Sequence, residues 1–279
     1  MELCCQFADI YLLYEMVDHS FRLQPNPKEL IMSNPNFNSK VALVTGASRG
    51  IGAAIARRLA RDNFAVAINY ASGAVEADAL VAEILSAGAT AYAVQGDVSK
   101  SDDVRRIFDT VEQRLGKIDV VVNNAGILKV VPLAQTSDEL YEQSFAINTR
   151  GVFNTLREAA TRMNAGGRII NLSSTTLALN MPGYAIYNGT KAAVESFTHV
   201  FAKELRGRSI TVNAVAPGPV ATDLFLSGKT EEQIQMFTKM PPLERLGQPE
   251  DIARVVAFLA GPDGAWVNGQ VLRANGGIA

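Results

Sequence analysis

The chain has 279 residues, of which 48% are hydrophobic and 19% charged, and its formal net charge is −2. One α/β domain of this length buries roughly three quarters of its unfolded surface, so no disulfide or metal staple is needed, and the charge balance excludes the strongly basic footprint of a nucleic-acid binder. The two cysteines, Cys4 and Cys5, are adjacent and the two histidines, His19 and His199, are far apart, which excludes a bridge framework, a zinc site and a histidine-based triad.

Residues 1–39 stand apart from the rest. Phe7, Ile10, Tyr11, Tyr14, Val17 and Phe21 fall at helical spacing before Pro25-Asn26-Pro27 breaks the pattern. This is read as an extension, either upstream sequence or a loosely attached helix. Removing residues 1–31 is expected to leave assembly and activity unchanged. Glu2, Asp9, Glu15, Asp18 and Glu29 against Arg22 and Lys28 do not suit a secretory or transit leader. No stretch reaches the roughly 20 apolar residues of a membrane span. A cytoplasmic protein with no membrane partner is expected.

Lys40 opens a regular alternation. Val41-Ala42-Leu43-Val44 is an unbroken apolar run, as in a strand buried on both faces. A helix is expected at 50–62, a strand at 65–69, a helix at 74–87, a strand ending at Asp97, a helix at 101–115 and a strand at 118–122. A long helix follows at 137–164, then a strand at 168–172, a helix at 184–206, a strand at 210–215, a helix at 249–260 and a last strand at 269–273. Such alternation implies right-handed crossovers and an α/β fold. The expectation is a single doubly wound (Rossmann) domain over 40–279, a seven-stranded parallel sheet with helices on both faces.

Thr45-Gly46-Ala47-Ser48-Arg49-Gly50-Ile51-Gly52 lies where the first strand turns into the first helix. Its glycines let the backbone approach a pyrophosphate, and the helix start offers free amides and a positive dipole end. The spacing varies the dinucleotide fingerprint, so Gly46, Ser48, Arg49, Gly50, Ile51 and Gly52 are expected to bind a coenzyme. The second strand ends Asn69-Tyr70-Ala71-Ser72, without the acid that accepts ribose hydroxyls in NAD enzymes. With Arg49 as a cation and Ser72 as a donor, that end suits a 2′-phosphate, and NADP(H) is the expected cofactor. Gly96-Asp97-Val98 closes the third strand, where Asp97 is placed to accept from the adenine amine.

Tyr187-Asn188-Gly189-Thr190-Lys191 puts a phenol and an ammonium on one face of a helix, one turn apart. A nearby cation stabilises tyrosinate, so the Tyr187 pKa is expected to fall from its usual value near 10. That suits Tyr187 to exchange a proton with a carbonyl or alcohol oxygen. Ser174 ends the fifth strand, where open parallel sheets bind ligands, and is placed to donate to the same oxygen. Its neighbour Ser173 is the competing choice. Substrate contacts are expected from Ser174, Tyr184 and Tyr187. The segment 222–246, with Phe225, Leu226, Met236, Phe237 and Met240, reads as a lid that closes over substrate. No metal site is expected.

These motifs, in this order, resemble the short-chain dehydrogenase/reductase family over residues 40–279. They are Thr45 to Gly52, Asn123-Asn124-Ala125-Gly126, Asn148, Ser174, Tyr187, Lys191 and Pro217-Gly218-Pro219-Val220-Ala221-Thr222. The resemblance implies a catalytic Asn148, Ser174, Tyr187 and Lys191, with Asn148 holding a water that connects Lys191 to bulk. It implies that Lys191 grips the nicotinamide ribose and that Asn124, Ala125 and Gly126 line the coenzyme. It also implies that Pro217, Gly218, Val220 and Thr222 hold the nicotinamide. Asn148-Thr149-Arg150-Gly151, Arg157-Glu158-Ala159-Ala160 and Gly228 to Glu232 are similar to the NADPH-dependent aldehyde and ketone reductase-like branch. β-Ketoacyl carrier-protein reductases and sugar or polyol dehydrogenases are also similar.

The leading expectation is NADPH-dependent reduction of a small aldehyde or ketone to an alcohol. The alternatives are a β-ketoacyl thioester on a carrier protein, a sugar or polyol as substrate, and a redox sensor without turnover. Arg206 and Arg208 are the residues that would greet an acidic carrier. The helices near 141–164 and 187–205 carry Phe145, Phe153, Leu156 and Ala160, and Ala192, Val194, Phe197, Phe201 and Leu205. That is more apolar surface than one sheet face needs, and uncovered apolar strips usually meet a partner. The resemblance implies that these helices pair across a twofold, with the last strand in a second interface. A homotetramer is expected.

Overall fold

Strand β1 (Val41–Val44) shows how the sheet is built. Every residue in it is buried, Ala42 and Val44 in one apolar cluster, Val41 and Leu43 in another. Alternate side chains leave a strand on opposite faces, so an unbroken apolar run requires a helical layer on each side. The computed structural model describes residues 39–279, which form one compact unit. The helix expected at 7–21 lies outside the described residues.

After β1 come α1 (Gly50–Arg61), β2 (Ala65–Tyr70), α2 (Ala74–Ser86), β3 (Ala91–Gln95), α3 (Ser101–Arg114) and β4 (Ile118–Asn123). The second half holds α4 (Asp138–Phe145), α5 (Gly151–Arg162), β5 (Arg168–Leu172), α6 (Thr176–Leu179), α7 (Ala185–Glu204) and β6 (Thr211–Pro217). It ends with α8 (Asp223–Leu226), α9 (Glu231–Lys239), α10 (Pro249–Ala260) and β7 (Val271–Ala274). The strands form one parallel seven-stranded sheet in the order β3-β2-β1-β4-β5-β6-β7. Ile55 and Leu59 of α1, Leu80 of α2 and Ile252 and Val256 of α10 cover one face. Ile107 and Phe108 of α3, Leu156 of α5 and Val194 of α7 cover the other. The strand order reverses between β1 and β4, and ligands of open parallel sheets bind at the carboxyl ends beside such a reversal.

Two expectations are corrected. The apolar periodicity over 137–164 predicts one helix, whereas α4 and α5 are joined by a π-helical segment, Ala146–Arg150. A π segment inserts a residue into the turn, a change too local for a hydrophobic pattern to register. Asn148, within it, is fully buried. The last strand begins at Val271 because Gly269, with φ of +67°, turns the chain instead.

A line of buried side chains ties the layers together below the strand ends. Thr155 Oγ1 of α5 donates to Asn123 Oδ1 of β4 (2.6 Å), Asn123 Nδ2 donates to Asn171 Oδ1 of β5 (2.8 Å), and Asn171 Nδ2 donates to Thr198 Oγ1 of α7 (2.9 Å). Buried polar groups left unpaired are costly, so this line sets how α7 sits against β4 and β5. Among the described residues no helix is long and apolar enough to cross a membrane.

Candidate active site

The turn after β1 is held from two sides. Asn124 Nδ2 donates to Thr45 O and Gly46 O (both 2.9 Å), and Thr45 Oγ1 accepts from Asn124 N (3.0 Å) and Ala125 N (3.1 Å). On the other side, Ala47 N donates to Asn69 O (2.8 Å). The approach is close enough to require glycine. A Cβ on Gly52 would stand 2.5 Å from both Asn124 Nδ2 and Gly46 O, and one on Gly46, at φ +61°, 2.8 Å from Ala125 Cα. Gly50 faces Thr222, whose Cγ2 would lie 3.5 Å from a Cβ there. The loop, the end of β4 and the segment after β6 thus meet at the start of α1, where free amides suit a phosphate.

Asn69 does a different job from the one its position suggests. It is 1% exposed. Its Oδ1 accepts from Gly46 N (3.4 Å), and its Nδ2 donates to Val94 O (3.2 Å) and Gly96 O (3.0 Å). Its side chain is therefore committed to bracing the loop against β3. Asp97 also has a local task, since its Oδ1 accepts from Ser99 N (2.9 Å) and Ser99 Oγ (2.7 Å). Arg49, Ala71 and Ser72 are exposed, and Tyr70 is half-buried. Ser48 Oγ lies beside them, 3.4 Å from where a Cβ on Gly73 would stand. Glu76 Oε2 reaches the same rim, 3.0 Å from that point, on an exposed side chain free to turn away.

The catalytic candidates converge where β5 meets α7. Ser173 Oγ donates to Glu195 Oε1 (2.6 Å) and is thereby engaged. Ser174 Oγ accepts from Thr176 N (3.2 Å) and Thr176 Oγ1 (2.9 Å). A hydroxyl carries one hydrogen and two lone pairs, so Ser174 keeps its hydrogen to give. Ser173 has thus spent its hydrogen where Ser174 has not. Lys191, 5% exposed, donates from Nζ to Leu172 O (2.7 Å), and Nζ stands 5.7 Å from the Tyr187 ring centre. Tyr184 is buried and meets Tyr187 edge-on at 6.5 Å.

The expected fall of the Tyr187 pKa is not found. Part of the residue's surface stays open, yet burial around the hydroxyl pushes its pKa up to about 12, with Ser174 opposing and Tyr184 adding to the rise. Burial pushes Lys191 down to about 8. Loss of hydration disfavours each charged form, and it outweighs the attraction that the sequence alone suggests.

Asn148 is first an anchor. Its Oδ1 accepts from Ile127 N (2.8 Å), and its Nδ2 donates to Ile127 O (2.9 Å) and Thr190 Oγ1 (3.2 Å). One Oδ1 lone pair remains. A Cβ on Gly126 would stand 3.2 Å from Asn148 Oδ1 and 3.7 Å from Lys191 Nζ. The bare Gly126 Cα thus leaves room beside both groups. Sequence reasoning passes over Thr190, Glu195 and Asn275. The four-residue spacing of Tyr187, Lys191 and Glu195 was a usable signal for Glu195, whereas nothing local marks Thr190.

The two ends of segment 222–246 are held together by an isolated bridge outside the sheet strands. Val220 bridges Gly247, Ala221 N donates to Gly247 O (2.8 Å), and Gly247 N donates to Pro219 O (2.8 Å). Within it, Thr222 caps α8 by accepting from Phe225 N, and Phe225 meets Phe237 edge-on at 5.2 Å. Phe237 is buried, Leu226 is half-buried, and Met236 and Met240 are exposed. Among the described residues no cluster of three or more His, Cys, Asp or Glu is placed to hold a metal ion.

Comparison with known proteins identifies the family. A family model described as enoyl-(acyl carrier protein) reductase matches residues 46–279. A short-chain type dehydrogenase/reductase of Picea abies is 47% identical over 248 residues, 85% of this chain and 92% of that protein. A chloroplastic NADPH-dependent aldehyde reductase-like protein of Arabidopsis thaliana is 42% identical over 252 residues, 85% of this chain and 93% of the relative. A blue fluorescent protein from a metagenomic library, solved in complex with NADPH, superposes with a TM-score of 0.82 at 40% identity, covering 88% of this chain and 99% of that one. With a matching model and relatives this similar over most of its length, the chain belongs to the short-chain dehydrogenase/reductase family of oxidoreductases.

Proposed function

We propose that this protein is an NADPH-dependent carbonyl reductase that turns an aldehyde or ketone into an alcohol. The observation that carries this reading is the Ser174 hydroxyl, which keeps a hydrogen to give, set against a protonated Tyr187 beside Lys191. The glycine approaches at Gly46 and Gly52 and the space above Gly126 fit a dinucleotide. Bound NADPH supplies the hydride. Ser174 donates a hydrogen bond to the carbonyl oxygen, Tyr187 gives that oxygen a proton, and the Lys191 ammonium stabilises the phenolate left behind. The half-buried and exposed apolar side chains of segment 222–246 exclude water from the reacting carbon. A steady-state screen of about fifty carbonyls with NADPH tests the reading, since turnover of none would sink it.

A thioester on a carrier protein is the second reading, supported by the description of the matching family model. Against it, Arg208 is already engaged, donating to Ala160 O and Met163 O at the end of α5. Assay of an acetoacetyl thioester beside simple aromatic ketones separates the two.

The coenzyme preference is open to direct measurement. NADPH is expected to bind about tenfold or more tightly than NADH, from one charge-assisted contact to the 2′-phosphate. Arg49→Ala should narrow the gap, and calorimetric titration showing equal affinities in the wild type would refute it.

A homotetramer is also proposed. Of the apolar surplus on and beside α5 and α7, Leu156, Val194 and Leu205 serve this chain's own core, whereas Phe153 of α5 is 46% exposed and Val200 of α7 is 52% exposed. β7, next to the β6 strand on which α7 packs, is an edge strand, and Trp266 before it is 99% exposed. Apolar groups left bare this way mark interfaces, and closed symmetry favours two such faces over an open chain. Light scattering is expected to give about four times the chain mass, and a mass near 29.9 kDa overturns the proposal. The cytoplasm is its proposed compartment, on the sparse cysteine usage.

A further inference from the structure

Asn275, one residue beyond β7, joins three parts of the site. Its Nδ2 donates to Thr175 Oγ1 (3.2 Å) and to Ala279 O (3.0 Å), and its Oδ1 accepts from Gly277 N (3.0 Å). Thr175 follows Ser174 and is 2% exposed. It passes the link on, with Oγ1 donating to Ala216 O (3.0 Å) and its N to Pro217 O (3.0 Å). The next turn of chain is held too. Gly218 N donates to Ala274 O (3.0 Å), and a Cβ on Gly218 would stand 2.8 Å from Asn275 Cα. Gly276 and Gly277, at φ +67° and +88°, then carry the chain across the end of segment 221–246. There Leu243 N donates to Gly276 O (3.4 Å), and a Cβ on Gly277 would lie 3.3 Å from Pro242 Cγ. Residues 275–279 are thus a strap over the serine turn, the loop after β6 and the far end of the lid.

We propose that Asn275 is a positioning residue for catalysis, setting Ser174 against Tyr187 through Thr175 while the strap fixes where the lid ends. The proposal rests on the reductase reading, in which Ser174 and Tyr187 act on one carbonyl oxygen. The Thr175 hydroxyl has a single hydrogen, given to Ala216 O, so from Asn275 it must accept. A side chain needed only for the turn would use its acceptor toward Gly277 and nothing else. The amide also spends two donors, one of them on the residue that follows the catalytic serine. Groups that orient reacting atoms affect rate steeply with small displacements, and a buried link such as Thr175 transmits a displacement rather than absorbing it.

The test compares Asn275→Ala, Asn275→Asp, Thr175→Val and their double variants in the full chain. The readouts are kcat per NADPH-binding site, KM and the melting temperature. Asn275→Ala is expected to lower kcat per site about tenfold, through misplacement of Ser174. Asn275→Asp should lower it as well, because a carboxylate has no hydrogen for Ala279 O and the Thr175 hydroxyl could donate to it only by giving up Ala216 O. In the Thr175→Val background neither substitution at Asn275 should lower kcat further, since the shared link is already broken. Thr175→Val alone carries the same tenfold expectation should Asn275→Ala fail to fold. Wild-type kcat per site in Asn275→Ala, or losses that simply add in the double variant, overturn the proposal. Tyr187→Phe run alongside separates the two levels. If Tyr187→Phe keeps more than about a tenth of wild-type kcat, the assignment of Ser174 and Tyr187 to one carbonyl oxygen fails, and the strap proposal loses the geometry it rests on. If Tyr187→Phe is inactive while Asn275→Ala matches wild type, the strap alone fails.

Discussion

Tyr187→Phe is expected to lower kcat by about 10²- to 10⁴-fold, the range that a positioned general acid contributes. The substitution removes one hydroxyl and leaves the ring, its edge-on contact with Tyr184 and the Lys191 ammonium near its face. Fold and NADPH affinity should therefore stay close to wild type, which separates loss of chemistry from loss of structure. A variant that keeps more than about a tenth of wild-type kcat shows that another group supplies the proton. The pH profile gives a second check. With Tyr187 pushed up to about 12 it holds its proton across the working range, so the phenol does not limit reduction near neutrality. Lys191, pushed down to about 8, loses its charge first. Reduction should be level below that pH and fall above it, as the cation that stabilises the phenolate is lost. The effect on stability has the opposite sense. The unfolded chain holds this lysine proton up to the usual value near 10.5, so between about 8 and 10.5 the group's contribution to stability rises with pH. Activity falling while the melting temperature holds would show that the limb belongs to the site rather than to unfolding.

Gly52→Ala is expected to produce the second large effect, a loss of coenzyme binding. The added Cβ would sit 2.5 Å from Asn124 Nδ2 and Gly46 O and 2.9 Å from Ala47 Cα. Two of these three atoms are backbone, so no side-chain rotation relieves the clash. Asn124 would have to give up its bonds to Thr45 O and Gly46 O, which hold the loop to the end of β4. Overpacking of this kind costs about 1–3 kcal/mol, and the displaced amides no longer converge on a phosphate. NADPH should bind at least about tenfold more weakly, with a lower melting temperature. Gly166→Ala is the control for glycine loss, because nothing lies within 4 Å of the position its Cβ would take, although its φ of +77° carries a backbone penalty. Gly52→Ala with wild-type NADPH affinity would mean that the loop is not the phosphate site.

Most of the architecture was legible because it rests on local patterns. Val41–Val44 is a short apolar run and Arg168–Leu172 a short segment built on Ile169, Ile170 and Leu172, and both fall where expected. The α10 helix is bounded by Pro249 at its start and Gly261 at its end, which are local stop and start signals. The π segment at Ala146–Arg150 leaves no mark in the sequence pattern, because one inserted residue keeps the surrounding periodicity nearly intact. Short helices α6, α8 and α9 lie in stretches with too few turns to show a period.

The site divides along the same line. By itself the sequence determined the residue types and their order: glycines at the first turn, no acid at the end of β2, a serine at the end of β5, and a tyrosine four before a lysine. Those features are chemical identities at fixed spacings, and spacing along one strand or helix is set by backbone geometry alone. Only the tertiary structure decided how each side chain is spent. Glu195 comes within 2.6 Å of Ser173 and engages it, while Ser174 keeps a hydrogen to give. Val94 and Gly96 carbonyls claim Asn69, and Ile127 claims the amide of Asn148. Burial raises the Tyr187 pKa where the neighbouring ammonium suggested a fall. Each outcome depends on atoms brought together from distant parts of the chain and on the water they exclude. Neither hydrogen-bond competition nor desolvation has a value until the fold has set the distances.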